Sequence, residues 1–328
     1  MNDLCIYITT YNRVQYLKRA IDSIIRQSYS DFTLIVLDNC SSDDTEKYVL
    51  SLNDSRIKYI RHTQNIGGGA NINYGFKNCE AKYFCVFHDD DVLHENLIEK
   101  EIEYMEYDRN CMAVSCLANI INEKDEVTKE NNHKTGEIKT WRNTELFAYY
   151  IGKQKNIVFP ATMYRTDFIR KNDIFFQGTK VCNDLVFVCL SYLFGERITS
   201  VNQHFICHRT NIASSLYSAG ERNWKCLFEA LSELENRLIC EDLYNKHRIS
   251  FLNLVVENIV YYLLMRFTDG NCFSSFYTYY KNNVSDHYNF MQYPKEIYRD
   301  DFAYNIIKSL ENDSKDSFLL NCIHLLNA

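Results

Sequence analysis

The stretch LCIYITTYNRVQYLKRAIDSIIRQSYSDFTLIVLDN, Leu4 to Asn39, sets the reading of the whole chain. LCIYIT (4–9) is short, β-rich and apolar on both faces, so it reads as a buried strand. Residues 13–27 then place Val14, Leu17, Ile21, Ile24 and Ile25 at helical spacing, and FTLIVLD (32–38) is a second strand. Strands of this kind joined by a helix form a βαβ unit, and such strands belong to a parallel sheet covered on two sides.

Working outward, the pattern repeats. A Ser/Asp turn leads to a helix near 43–52, a strand IKYIRH (57–62), a Gly-rich turn with a helix (66–79), and a strand YFCVFH (83–88). The expected fold class is α/β, a mostly parallel sheet covered by helices. Ligands bind at the carboxyl ends of strands in such a sheet. The ends Thr9-Thr10-Tyr11-Asn12-Arg13, Asp38-Asn39 and His88-Asp89-Asp90-Asp91 are therefore expected to converge on one crevice. From about residue 106 the pattern changes to MAVSCLANIIN (112–122), a charged loop (123–140), a helix near 143–152, FPATMYR (159–165), a helix at 183–194 and a strand around 199–206. Beyond about 216 the chain reads helical. Three regions follow: 1–105, 106–215 and a helical C-terminal region, 216–328.

Composition narrows the function classes. With 46% hydrophobic residues among 328, a sizeable core is expected. The formal charge is −7 and no basic run is present, so nucleic acid is not an expected partner. The 13 cysteines are scattered, without a CxxC pair or a leading secretory segment; they read as reduced thiols in a cytoplasmic protein. The most apolar window, Phe251 to Phe267, is shorter than the ~20 residues of a membrane span and contains Asn253, Glu257 and Asn258. It reads as a buried or oligomer-forming helix, with a membrane-surface role as the alternative.

Three motifs carry chemistry, each with an ordinary alternative. FCVFHDDDVL (84–93) ends a strand in three adjacent carboxylates, which suits a hard divalent cation or, through Asp91, the start of a helix. LIVLDNCSSDDT puts Asp38 where it could accept a hydrogen bond from a nucleobase edge, but Ser41, Ser42 and Asp43 also read as a plain helix-initiating turn. QNIGGGANINYG (64–75) could let backbone approach a diphosphate closely. It is neither a P-loop nor a dinucleotide fingerprint, because no GK[ST] follows and the glycines lie outside the first βα turn.

Taken together, ITTYNR, VLDNCSSDDT, NIGGGANINYG and FHDDDVLHENL, followed by FPATMYRTDFIRKNDIFFQG, CNDLVFVCLSYLFG and CHRTNIASS, resemble the family 2 glycosyltransferases. These are inverting nucleotide-sugar enzymes of the GT-A fold, and the resemblance covers roughly residues 4–215. It implies that Thr9, Tyr11 and Arg13 line the nucleotide pocket, that Asp38 reads the base, and that Asp89 contacts the ribose. It further implies that Asp90, with Asp91 beside it, holds a divalent cation (Mn2+ or Mg2+), that His208 matches a late metal- or phosphate-side histidine, and that Asp184 is the general base. Read without the family, Asp184 is also a helix cap, His208 a polar residue at a strand end and Tyr11 a packing aromatic. Departures are His88 where Asp is common, Ile72 where many members carry arginine, and Asn183 in place of the usual glutamate.

The implied partners are a nucleotide-sugar donor, most simply a UDP-sugar, and a glycan or lipid-linked glycan acceptor in surface polysaccharide synthesis. The C-terminal helices are expected to build an oligomer, to contact the inner face of the cell membrane peripherally, or both. The alternatives are a catalytically inactive nucleotide-sugar-binding scaffold and a nucleotidyltransferase.

Overall fold

In the computed structural model the residues described are 3–129, 139–142, 162–210, 221–265, 267 and 269–327. The chain divides into two compact units, Met1–Phe147 with Gln154–Ser215, and Ala148–Lys153 with Leu216–Ala328. The helix anticipated near 143–152 lies outside the described residues.

The first unit is one sheet with helices on it. β1 (Leu4–Thr10), α1 (Val14–Ile25), β2 (Phe32–Asp38), α2 (Thr45–Ser51), β3 (Ile57–Arg61), α3 (Gly68–Lys77) and β4 (Tyr83–His88) follow in order. Strands β3-β2-β1-β4 lie side by side, all parallel. Leu4, Ile6 and Ile8 of β1 are fully buried, and so are Leu34 and Val36 of β2, because helices cover the sheet. The helix α1 buries Leu17, Ala20, Ile21 and Ile24, the stripe its sequence spacing predicts.

Beyond β4 the sheet is mixed, which refines the expectation of a mostly parallel sheet. After β5 (Val92–Leu93) and α4 (Leu97–Tyr107) come β6 (Cys111–Ile121), β7 (Val127–Lys129), β8 (Lys139–Arg142), β9 (Thr162–Arg165), α5 (Thr166–Lys171), α6 (Leu185–Phe194) and β10 (Arg197–Arg209). β9 is antiparallel to both β4 and β6, β6 and β10 are parallel, and β5 runs antiparallel to β10. The sheet is continuous through the order β4-β9-β6-β10-β5, so residues 1–105 and 106–215 share it.

Two packing devices place the site loops. Ser23 Oγ accepts from Leu93 N at 3.1 Å, and Gln27 bridges His94 O (2.8 Å) and Ile98 N (3.0 Å). An orphan N–H at the start of α4 is thereby satisfied by Gln27, just beyond the end of α1, rather than by Asp91. On the other side, a Cβ on Gly69 would stand 2.1 Å from Gln177 O, so only glycine admits that carbonyl against α3.

The second unit is helical: α7 (Lys225–Cys240), α8 (Tyr244–Met265), α9 (Gly270–Tyr279), a π-turn (Tyr280–Val284), α10 (Ser285–Tyr288), α11 (Asp301–Asn312) and α12 (Lys315–Asn327). Asp269 and Asp300 cap α9 and α11. Among the described residues no helix is long and apolar enough to cross a membrane, and the twelve cysteines from Cys5 to Cys272 are free thiols.

Glu101 of α4 is fully buried, and neither carboxyl oxygen has a hydrogen-bond partner among the described residues. Burial pushes it well above the ordinary glutamate range, with the Met163 backbone opposing. The folded chain keeps this proton at pH values where the unfolded chain releases it, so stability falls as pH rises above the unfolded value. Glu101→Gln is expected to gain stability over wild type increasingly between pH 5 and 8 in urea titrations; a pH-independent difference would refute the linkage. Gly69→Ala should cost about 2–3 kcal/mol by the same measurement. Gly178→Ala, with open space around its Cβ, should stay within about 0.5 kcal/mol.

Candidate active site

The three strand ends are level. Thr9 pairs with Leu37 on one side and His88 on the other, and Thr10 faces Asp38. The segments following β1, β2 and β4 therefore emerge together at the carboxyl edge, as anticipated.

The first two segments brace each other. Asn12 and Cys40 both take left-handed backbone, φ 55° and 71°, a conformation uncommon outside glycine. Asn12 N donates to Ser41 Oγ (2.9 Å), and Ser42 N donates to Asn12 Oδ1 (2.7 Å). Asp43 accepts from Val14 N (3.0 Å), Thr45 N (3.1 Å) and Thr45 Oγ (2.6 Å), so one carboxylate serves the starts of α1 and α2. Burial acts to raise its pKa, but the Thr45 hydroxyl and these N–H groups hold it below the ordinary range. Asp38 is fully buried; it accepts from Ser41 N at 2.8 Å and from the Tyr59 hydroxyl, with Arg61 Nε 3.7 Å away. Tyr11 is 46% exposed and Thr9 half-buried.

Asp89, Asp90 and Asp91 are only 3%, 7% and 1% exposed, so their mutual repulsion has to be offset locally. Arg13 forks between Asp89 Oδ1 (3.1 Å) and Asp90 Oδ2 (2.9 Å), and Thr10 Oγ donates to Asp89 Oδ2 at 2.7 Å. Burial raises Asp89 to about 6, opposed by Arg13 and reinforced by Asp90. Asp91 Oδ1 engages His208 Nδ1 at 2.9 Å and Arg209 N at 3.3 Å. Against the effect of burial, the His208 charge and hydrogen bond hold Asp91 low, and Asp91 in turn raises His208.

Arg209 escaped the sequence reading. It is 3% exposed, donates from Nε to Asp90 O (3.0 Å), reaches Asn122 O and Asp125, and lies 5.4 Å from the Tyr16 ring centre. The available signal was an arginine directly after His208 at a strand end. Asp43 was read only as a turn residue; its role in linking the two helix starts is a long-range contact.

Asp184 stands at the N-cap position of α6, without a side-chain capping hydrogen bond to that helix. Its side chain is exposed, yet protein surrounds it closely enough that desolvation raises its pKa, while the nearby His88 lowers it. Gly69 keeps this segment against α3: Gln177 N donates to Asn183 O at 3.1 Å, and the Asn183 Cβ lies 3.5 Å from where a Gly69 Cβ would stand. The close approach at Gly69 is thus made by the Gln177 backbone. Ile72 is buried, with 5% exposure.

The donor set fits a cation. One ligand atom each from His88, Asp90 and Asp91 lies within 4.8 Å of the other two. Asp91 Oδ2 is buried without a hydrogen-bond partner among the described residues, a costly state for a carboxylate oxygen unless a positive group reaches it. His208 touches the same carboxylate through its other oxygen, the arrangement of a group that orients a ligand.

Comparison with known proteins bears on the family and the fold. The family described as glycosyl transferase family 2 matches residues 5–172. A glycosyltransferase of Rickettsia prowazekii is 37% identical over 120 residues, 36% of this chain and 37% of that protein. WcaA of Escherichia coli, named for colanic acid biosynthesis, is 39% identical over 90 residues, 27% of this chain and 32% of that protein. The matched part of the chain thus spans about a third of these relatives' length. The crystal structure of S. aureus TarS 1–349 in complex with UDP superposes with a TM-score of 0.60 at 20% identity, over 82% of this chain and 74% of that one. The likeness extends to the fold, a GT-A α/β sheet followed by helices.

Removing the Arg209 fork should leave the Asp90 and Asn122 carbonyls unpaired. Arg209→Gln is expected to lose about 2–3 kcal/mol in urea denaturation with an unchanged m-value. Arg209→Lys should recover less than half of that, because an ammonium cannot reproduce the fork; full recovery by lysine would show that charge alone matters.

Proposed function

The chain belongs to glycosyl transferase family 2, and on that premise we propose that it moves a sugar from a UDP-linked donor to a hydroxyl of a glycan or lipid-linked glycan, with inversion. The observation carrying this reading is the cluster of His88 with three buried aspartates at one strand edge, with the exposed Asp184 within electrostatic reach of His88. A proton acceptor and a site for diphosphate charge are the two things direct displacement at an anomeric carbon requires.

Each group then has a task. Tyr11 offers an exposed ring face to the nucleobase, with Thr9 below it. Asp38 reads the base, or reaches it through the turn whose Ser41 N–H it holds. Asp89 accepts from the ribose, and Arg13 keeps Asp89 and Asp90 at their spacing. A divalent cation, Mn2+ or Mg2+, bound by Asp90 and Asp91 would offset negative charge building on the leaving diphosphate. His208 holds Asp91 in place. Asp184 takes the proton of the acceptor hydroxyl as it attacks. Diphosphate neutralisation falls to the strand-end groups, because Ile72 supplies no charge.

Support for the UDP donor comes from TarS, whose structures include complexes with UDP and UDP-GlcNAc. The name of the E. coli relative supports a surface polysaccharide as product. The setting consistent with a lipid-linked acceptor is the cytoplasmic face of the membrane, contacted peripherally.

Turnover of a UDP-sugar panel with Mn2+ or Mg2+ tests the reading. Asp184→Asn should lower kcat about 10²–10⁴-fold while UDP still raises the melting temperature. Asp90→Ala should lose activity and cation dependence together. Asp184 must be ionised to act and its pKa is raised. The acidic limb of kcat/KM should therefore lie above the roughly 3.9 of a free aspartate. Tight UDP binding without turnover on any donor would instead identify a scaffold of the same fold.

A further inference from the structure

The strand-end carboxylates are not equally available to a cation. Asp89 is committed to Thr10 and Arg13, and Arg13 also takes Oδ2 of Asp90. Asp91 gives Oδ1 to His208 and Arg209, while its fully buried Oδ2 has no hydrogen-bond partner among the described residues. The group facing that oxygen is the His88 ring, with Nδ1 4.0 Å away and the side chain 40% exposed. Two donors bound at about 2.1 Å to one ion stand about 3–4 Å apart, so this spacing suits a shared ion after little movement. Asp90 supplies the third atom.

Building on the cation in the proposed function, we infer that His88 is a nitrogen ligand of that site and that this chain therefore selects a first-row transition ion over Mg2+. Magnesium binds oxygen donors and keeps its waters, whereas an imidazole nitrogen favours ions toward the Co2+ end of the series. Where His88 stands, the family pattern often carries aspartate, an all-oxygen arrangement. The histidine changes the chemical class of the site while leaving its position unchanged. His208 acts through the carboxylate it touches.

The test uses the full chain, with Co2+ and Mg2+ titrated by calorimetry and the nitrogen coupling of bound Mn2+ read by pulsed electron paramagnetic resonance. Wild type should bind Co2+ at least about tenfold more tightly than Mg2+. His88→Ala should lose about ten- to a hundredfold in Co2+ affinity, change Mg2+ affinity by less than about threefold, and lose the nitrogen coupling. His88→Asp should bind both ions with little preference, which also shows that the site still folds. His208→Gln should keep the coupling. Unchanged Co2+ affinity in His88→Ala, or coupling that disappears with His208→Gln instead, would overturn the assignment. Failure of every variant to bind any ion, with UDP still raising the melting temperature, would remove the cation proposals and leave the donor-binding reading standing.

Discussion

Three carboxylates on consecutive residues, each less than a tenth exposed, are the constraint around which the first unit is arranged. Like charges at this spacing repel strongly once water is excluded. Here the repulsion is met from two directions. Arg13 enters from the turn after β1 and takes Asp89 and Asp90; His208 and Arg209 enter from the end of β10 and take Asp91 and the Asp90 backbone. Placing those cations demands that β1, β4 and β10 end near one edge, which the sheet order provides.

That arrangement separates buried, hydrogen-bonded groups from accessible ones. Thr10, Arg13 and Arg209 hold geometry through short, buried hydrogen bonds. Tyr11, His88 and Asp184 remain accessible at the same edge. A rigid base beneath reachable groups is what preorganised catalysis requires, because reorganisation at the moment of reaction would raise the barrier.

Much of this was legible in the residues themselves. β1, β2 and β4 declared themselves by being apolar on both faces, and the convergence of their ends on one edge followed from that. The mixed half of the sheet was not legible in the same way: β9 has four residues, and strand sense is set by connections that no local periodicity records. Asp91 looked like a helix cap because a helix follows, yet Gln27, just after α1, takes an N–H at that helix start. The glycines of 67–69 were read for a diphosphate, while in the fold Gly69 accommodates the Gln177 carbonyl. Arg209 lies 119 positions from the Asp90 it supports, and such pairing leaves no trace in a single sequence.

The same separation has a consequence for how the protein is made. During synthesis at about 5–20 residues per second, Asp89 to Asp91 leave the ribosome with Arg13 already available, but His208 and Arg209 follow only several seconds later. Until then Asp91 lacks its His208 partner, and the emerging strand end carries excess negative charge. The residues that quiet it lie at the close of β10, the last strand of the sheet. Asp91 and the Asp90 backbone thus gain their β10 partners only once nearly all of the first unit has been made.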